Sequence, residues 1–271
     1  IVEGYDTQYN PQKHLEGYKT QRGEVAALAM SLGTPQTQFI LDDMDADNMI
    51  AAPMSWYSGW SYKSSDRGLV IEFGSAYCAD GMNAVDWALA NYPVDIKTVG
   101  IMGYAGDYGG DYAAGVKAAA EANGLTVAWE YVVPSPEFDV AQAVGLMVTQ
   151  PVDAYFPAVG PGHMAQVAGG AFQQGLTPAA MMAAPSYNDA FIAEGFALAP
   201  LFQSGSMYLM AFVAPYEADT AGHAVMRATL TAMGIDSGNL FITAGWASQH
   251  HIRGVLEAAN KGGDLTRAGI R

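Results

Sequence analysis

The residues of this chain whose types and spacing could do chemistry are few. Asp43, Asp45 and Asp47 have the D-x-D-x-D spacing that begins a calcium-binding EF-hand loop. That loop needs a glycine at its sixth position and a bidentate glutamate at its twelfth; here those positions hold Asn48 and Met54, so calcium is not expected. A solvated polar stretch at a helix end is the expectation instead. Gly160-Pro161-Gly162-His163-Met164-Ala165 matches G-x-G-x-x-A, the pattern that lets backbone amides approach a pyrophosphate. A dinucleotide site also calls for an acid about 20 residues further on. The next strand ends Ala183-Ala184-Pro185-Ser186, with no carboxylate. A nicotinamide-dependent oxidoreductase using this turn is therefore an alternative reading, beside a plain strand-to-helix turn and a helix N-terminus aimed at a small ligand. His250 and His251 are adjacent, so on a helix they point ~100° apart and share no metal. His14, His163 and His223 are isolated, and Cys78 is the single cysteine, which excludes an internal disulfide and a multi-thiolate zinc site. No nucleophile elbow or phosphate-binding loop occurs. The expectation is a protein that is not an enzyme and uses no cofactor and no metal.

Aromatic and hydroxyl residues recur where apolar runs end. Ser31-Leu32-Gly33-Thr34-Pro35-Gln36-Thr37, Met54-Ser55-Trp56-Tyr57, Tyr104-Ala105-Gly106-Asp107-Tyr108 and Ser186-Tyr187 each follow such a run. In open α/β sheets ligands bind outside the carboxyl ends of the strands. Aromatic walls with a few polar groups are the make-up of a small-molecule pocket.

The elements that would hold these loops alternate. Strand-like runs are expected at residues 24–32, 48–52, 98–102, 125–133, 152–156 and 179–184, with a further run at 209–214. Helices are expected at 35–47, 84–92, 111–123, 140–149, 163–174, 220–233 and 244–260. Strands alternating with helices of ten or more residues imply parallel βαβ units with right-handed crossovers. Pro53, Pro93 and Pro185 are expected to end the elements before them.

Charge narrows the partners. Twelve Lys and Arg against 27 Asp and Glu give a net charge of −15, which argues against nucleic-acid binding and a polybasic membrane-surface role. Apolar residues make up 51% and charged ones 14%, enough to bury a large core. No apolar run approaches the ~18 residues of a membrane span.

Taken in order, three segments resemble the type I periplasmic solute-binding proteins of ABC transporters, in the branched-chain-amino-acid-binding (Leu/Ile/Val) group. They are residues 5–11, residues 106–124 with their Asp107-Tyr108-Gly109 opening, and residues 153–175. The resemblance implies two Rossmann-like α/β lobes with central, mainly parallel sheets joined by hinge crossovers. Residues 1–94 with 211–271 would form the first lobe and residues 95–210 the second. The family's first strand and helix would precede Ile1 and its last strands would follow Arg271, so truncation at both ends is expected. The resemblance also implies a solute held between the lobes without chemistry, a membrane permease as partner, and a periplasmic or extracellular location with lipid anchoring as an option. A cytoplasmic amide-sensing regulator of the same fold is a further alternative. Carried over one position at a time, the ligand-binding residues would be Thr34, Gln36, Met54, Ser55, Trp56, Tyr108, Gly160, Ser186 and Tyr187. The family's acid that pairs with an amino-acid ammonium falls near Ser186 here, with Asp189 as a substitute. An ammonium buried without a carboxylate is strongly disfavoured, so a carboxylate, amide or urea-like solute is expected, with an aromatic or aliphatic body.

Overall fold

The computed structural model describes residues 4–271; residues 1–3, on which the sequence opens, lie outside the described residues. In chain order the principal elements are α1 (Pro11–Gln21), β1 (Leu28–Leu32), α2 (Thr34–Phe39), α3 (Leu41–Asp47), β2 (Ala51–Met54), α4 (Lys63–Asp66), α5 (Tyr77–Asn91), β3 (Thr98–Tyr104), α6 (Gly109–Ala122), β4 (Thr126–Val133), α7 (Val140–Thr149), β5 (Ala154–Ala158), α8 (Pro161–Gln173), β6 (Ala179–Ala183), α9 (Ala199–Gln203), β7 (Met207–Met210), α10 (Ala221–Ala232), α11 (Leu240–Gly262) and α12 (Arg267–Ile270). They gather into two compact units, residues 1–74 with 213–271 and residues 75–212.

In the first unit β1 and β2 pair in parallel, with Ser31 opposite Pro53 and Leu32 opposite Met54. Pro53 thus lies inside a strand instead of ending one. The helix expected over residues 35–47 breaks at Ile40 (φ −106°, ψ 1°) into α2 and α3. The break lets Ile40, Leu41 and Met44 enter one core with Tyr18, Met49, Trp60 and Leu69. Asn10 starts α1 by accepting a hydrogen bond from the Lys13 amide at 3.1 Å, with Pro11 in the first turn, where no amide is needed. The acidic run of α3 is paired and not merely solvated. Arg22 reaches Asp43 and Asp47 at 3.4 and 3.2 Å, Arg271 reaches Asp45 at 2.8 Å, and Arg67 reaches Asp42. Solvent-exposed pairs of this kind contribute little to stability, so they orient α3 more than they stabilise it. On α11, Val255, Leu256 and Ala259 pack with Ile50 of the segment entering β2 and with Ile270 of α12.

The second unit holds a five-stranded sheet in the order β4-β3-β5-β6-β7, every neighbouring pair parallel. The central strands β5 (Ala-Tyr-Phe-Pro-Ala) and β6 (Ala-Ala-Met-Met-Ala) are buried at every position, the continuous apolar run that parallel strands need. The chain steps outward from β3 to β4 and then returns to the other side of β3 with β5. That reversal is a topological switch point, where the carboxyl ends of β3 and β5 open a crevice.

Helix α5 belongs to this second unit, so the first boundary falls after Gly74 and not after residue 94. The reason is contact between backbones. A Cβ at Gly81 of α5 would collide with the Tyr112 carbonyl, and one at Gly115 of α6 with the Cys78 carbonyl. Glycine at these two positions lets α5 and α6 approach closely, a contact that no periodicity of apolar residues announces.

Between β5 and β6 the backbone pairing covers only Ala154 with Ala179 and Tyr155 with Ala180. Pro157, two residues on, has no N–H to continue it. A side chain takes over: Ser186, after β6, accepts from the Val159 amide just past β5 at 3.2 Å, and the Met181 carbonyl of β6 instead accepts from the Tyr112 hydroxyl of α6 at 2.7 Å.

Candidate functional site

In the first unit the loop after β1 carries most of the polar chemistry. Gly33 has φ +95°, a conformation that disfavours a side chain, and it turns the chain from β1 into α2. Thr34 (3% exposed) and Ser55 (1% exposed) meet hydroxyl to hydroxyl, and the Trp60 indole donates to the Ser55 hydroxyl at 3.0 Å. Gln36 is 1% exposed and its amide nitrogen donates to the Tyr9 carbonyl at 2.8 Å. Met54 ends β2 half-buried, and its carbonyl accepts from the Gly33 amide at 3.3 Å. Trp56 is buried; its indole donates to the Phe73 carbonyl at 2.5 Å and meets the Phe73 ring edge-on at 5.5 Å.

A second chain of polar groups lies beneath this loop. The Ser31 hydroxyl is 3.0 Å from His14 Nε2 and 2.7 Å from the Thr37 hydroxyl, and Thr37 donates to the Gly33 carbonyl at 2.9 Å. Burial pushes the His14 imidazole below its usual pKa, holding it neutral. A serine beside a histidine suggests a nucleophile and its base, but Ser31 is fully buried, so no substrate carbonyl reaches it. These groups brace the loop.

In the second unit the switch point gathers Tyr104, Tyr108, Gly160, His163 and Ser186. The Tyr108 hydroxyl is 3.0 Å from that of Ser186 and donates to the Val159 carbonyl at 3.3 Å. Desolvation pushes the Tyr108 phenol well above its usual pKa, while its contact with Ser186 lowers it, so the group stays a neutral phenol. Its ring lies 4.9 Å from that of Tyr77. The Tyr104 hydroxyl is 2.6 Å from His163 Nδ1, and the His163 ring stacks on Phe138 at 5.0 Å. Gly160 precedes α8 with Tyr104 close by; a Cβ there would come within 3.0 Å of the Tyr104 hydroxyl. Pro161, at the first position of α8, removes one of the amides a pyrophosphate would use. Ser186, where the family's acid was expected, is fully buried. Tyr187 is buried against the edges of Phe191 and Phe202, and Asp189 lies half-buried in the following turn.

The structure thus brings Thr34 and Ser55 together in one unit, with Met54 at the adjoining strand end, and Tyr108, Gly160 and Ser186 together in the other. Tyr9, Tyr77, Tyr104, His163 and the His14–Ser31–Thr37 chain were not among the expected site residues. Tyr104 and His163 were within reach of sequence reasoning, since each stands at the end of a strand or the start of a helix. Of the other histidines, His250 meets Trp246 at 5.3 Å and His251 meets Phe73 at 6.1 Å. Among the described residues no cluster of three His, Cys, Asp or Glu could hold a metal ion. No helix of the described residues is long and apolar enough to cross a membrane.

Parallel strands whose carboxyl ends carry hydroxyl and phenol clusters, in two successive α/β units, define the class of type I periplasmic solute-binding proteins. A family model of periplasmic binding proteins matches residues 2–271, and the chain belongs to that family. No curated protein sequence matches. Among solved structures, the chain is similar to a fatty acid ABC transporter substrate-binding protein from Thermomonospora curvata, with 26% identity and a TM-score of 0.86 over 98% of this chain and 67% of that one. A branched-chain amino acid ABC transporter protein from Thermus thermophilus with bound valine shares 14% identity and a TM-score of 0.76, over 98% of this chain and 70% of that one. A solute-binding protein from Rhodopseudomonas palustris HaA2 in complex with p-hydroxybenzoic acid shares 15% and 0.76, over 96% and 70%. The last two likenesses are of fold.

Proposed function

We propose that this chain is the extracytoplasmic solute-binding component of an ABC importer, acting in the periplasm or outside the cell and passing its solute unchanged to a membrane permease. The observation that carries this reading is the pair of neutral clusters at strand ends: Thr34 with Ser55 in one unit, and Tyr108 with Ser186 in the other. Hydroxyls and phenols are the polar groups that small-molecule sites set among apolar walls; Ser55 and Ser186 are themselves buried, so they shape the strand-end loops that would meet the solute, and neither cluster presents an accessible nucleophile with its base. Ser186 in place of an acid disfavours an ammonium in this crevice, which points to a carboxylate, amide or urea-like solute. Of the relatives, the fatty-acid protein and the one holding p-hydroxybenzoic acid fall within this range, and the one with bound valine falls outside it. Thermal-shift titration against valine, octanoate, 4-hydroxybenzoate, benzamide and urea tests the proposal, because a bound solute raises the melting temperature by mass action. A shift with one of them, and recovery of that compound unchanged, is the expected result. Flat melting curves throughout, or turnover of the compound, would refute it.

A further inference from the structure

Among the described residues of the first unit, Gln36 Oε1 is buried without a hydrogen-bond partner, as are His14 Nδ1 and His223 Nε2; of these, only Gln36 Oε1 lies at the strand-end loop beside an exposed ring. Gln36 is 1% exposed. Its Nε2 donates to the Tyr9 carbonyl at 2.8 Å, which fixes the amide orientation, because a carbonyl accepts only from the nitrogen side. The other end, Oε1, is buried without a protein hydrogen-bond partner among the described residues. An unpaired buried acceptor is costly and demands an explanation.

Tyr9 stands beside that atom. The place a Gly33 Cβ would occupy lies 2.8 Å from Tyr9 Cε2 and closer still to Gln36 Oε1. The absent side chain of Gly33 therefore lets the tyrosine ring edge and the amide oxygen share one spot at the end of β1. Tyr9 is otherwise 59% exposed. Gln8 and Tyr9 both adopt positive φ, 50° and 54°, a conformation that costs a side-chain-bearing residue about 1–2 kcal/mol. The Asp6 carboxylate accepts from the Gln8 amide at 2.8 Å and holds this turn. An exposed aromatic ring is thus presented in a strained turn, with its edge beside an unanswered acceptor.

We infer that Tyr9 and Gln36 form a recognition subsite for a flat solute bearing a hydrogen-bond donor, a hydroxyl or an amide N–H. The ring of Tyr9 turns aside to become a wall for the solute's flat face, and Gln36 Oε1 accepts the donor. This rests on the solute-binding reading and narrows it. A solute that offers only acceptors on that side would leave Oε1 unanswered and be rejected.

The test is calorimetric titration with 4-hydroxybenzoate and 4-methylbenzoate, which differ in the donor. The wild-type chain is expected to prefer the hydroxyl compound by at least about tenfold. Gln36→Met is expected to erase most of that preference while retaining affinity for 4-methylbenzoate. Tyr9→Ala, at an exposed position that leaves the core intact, is expected to weaken both compounds by about tenfold and to narrow the preference, because water then reaches Oε1. Should Gln36→Met fail to fold, Tyr9→Ala decides. Equal wild-type affinity for the two probes, an undiminished preference in Gln36→Met, or unchanged affinities in Tyr9→Ala overturns the subsite. Binding of valine or octanoate with neither benzoate bound also overturns it, while leaving the solute-binding reading standing. No response to any of these compounds defeats both.

Discussion

The hydroxyl of Tyr108 lies 3.0 Å from the hydroxyl of Ser186, 78 residues later in the chain. Ser186 also accepts from the Val159 amide at 3.2 Å, so one small side chain joins the loop after β3, the end of β5 and the segment after β6. Ser186→Ala leaves the Val159 amide unanswered in a buried place. The expected cost is about 1–3 kcal/mol, read as a lower urea midpoint with an unchanged slope. An unaltered midpoint would show that Ser186 does not tie these segments together.

Asp80 makes stability fall as pH rises through the acid range. Desolvation raises its carboxyl to about 6, against a smaller lowering by the Ser75 hydroxyl. The folded-state value therefore lies above the unfolded value of about 3.9. Its contribution is fully present below about pH 4 and is lost as pH rises through about 6. The stability of Asp80→Asn relative to wild type is expected to grow by about 2–3 kcal/mol between pH 4 and pH 8. Parallel stability curves for the two proteins would contradict the raised value.

His14 acts in the opposite sense. Burial lowers its pKa, so the folded chain favours the neutral ring, and the stability this confers is present above pH ~6.5 and lost as pH falls through the folded value. His14→Gln is expected to flatten the stability profile on the acid side of neutrality, measured by denaturant titration from pH 5 to 8. A profile with the same acid slope as wild type would remove His14 from the account.

Two glycines on helices should respond with opposite signs. At Gly115 a methyl group would strike the Cys78 carbonyl across the α5–α6 contact, and Gly115→Ala should cost about 1–3 kcal/mol or more. At Gly145, inside α7, nothing lies within 4 Å of the added carbon, and Gly145→Ala should stabilise by about 0.5–1 kcal/mol. Thermal melts of the two single variants check both; equal shifts would mean that α5 and α6 tolerate separation.

Much of this architecture is legible in the residues because local pattern and burial agree. The all-apolar runs that became β5 and β6 could only be covered on both faces, and the intervening helix could only be a crossover. The loops holding Thr34, Ser55, Tyr108 and Ser186 were reachable because strand ends are where an α/β sheet gathers ligands. The Tyr9–Gln36 contact was not legible, since it spans 27 residues and depends on a side chain that Gly33 lacks. Nor was the place of α5, which is set by backbone proximity at Gly81 and Gly115, nor the break at Ile40, which three core positions impose together. Trp56 attracted notice as an aromatic in a loop, and its burial against Phe73 is a matter of packing that sequence alone does not resolve.

The short register between β5 and β6 has an evolutionary consequence. Where main-chain ladders join neighbouring strands, a side-chain exchange other than to proline leaves the hydrogen bonds of the joint in place. Beyond Tyr155 the tie between the end of β5 and the segment after β6 is made by Ser186, while Tyr112 of α6 holds the Met181 carbonyl of β6, and each can be exchanged without rewiring the backbone. Descendants of such a chain can exchange the side chains of that rim while inheriting the scaffold intact.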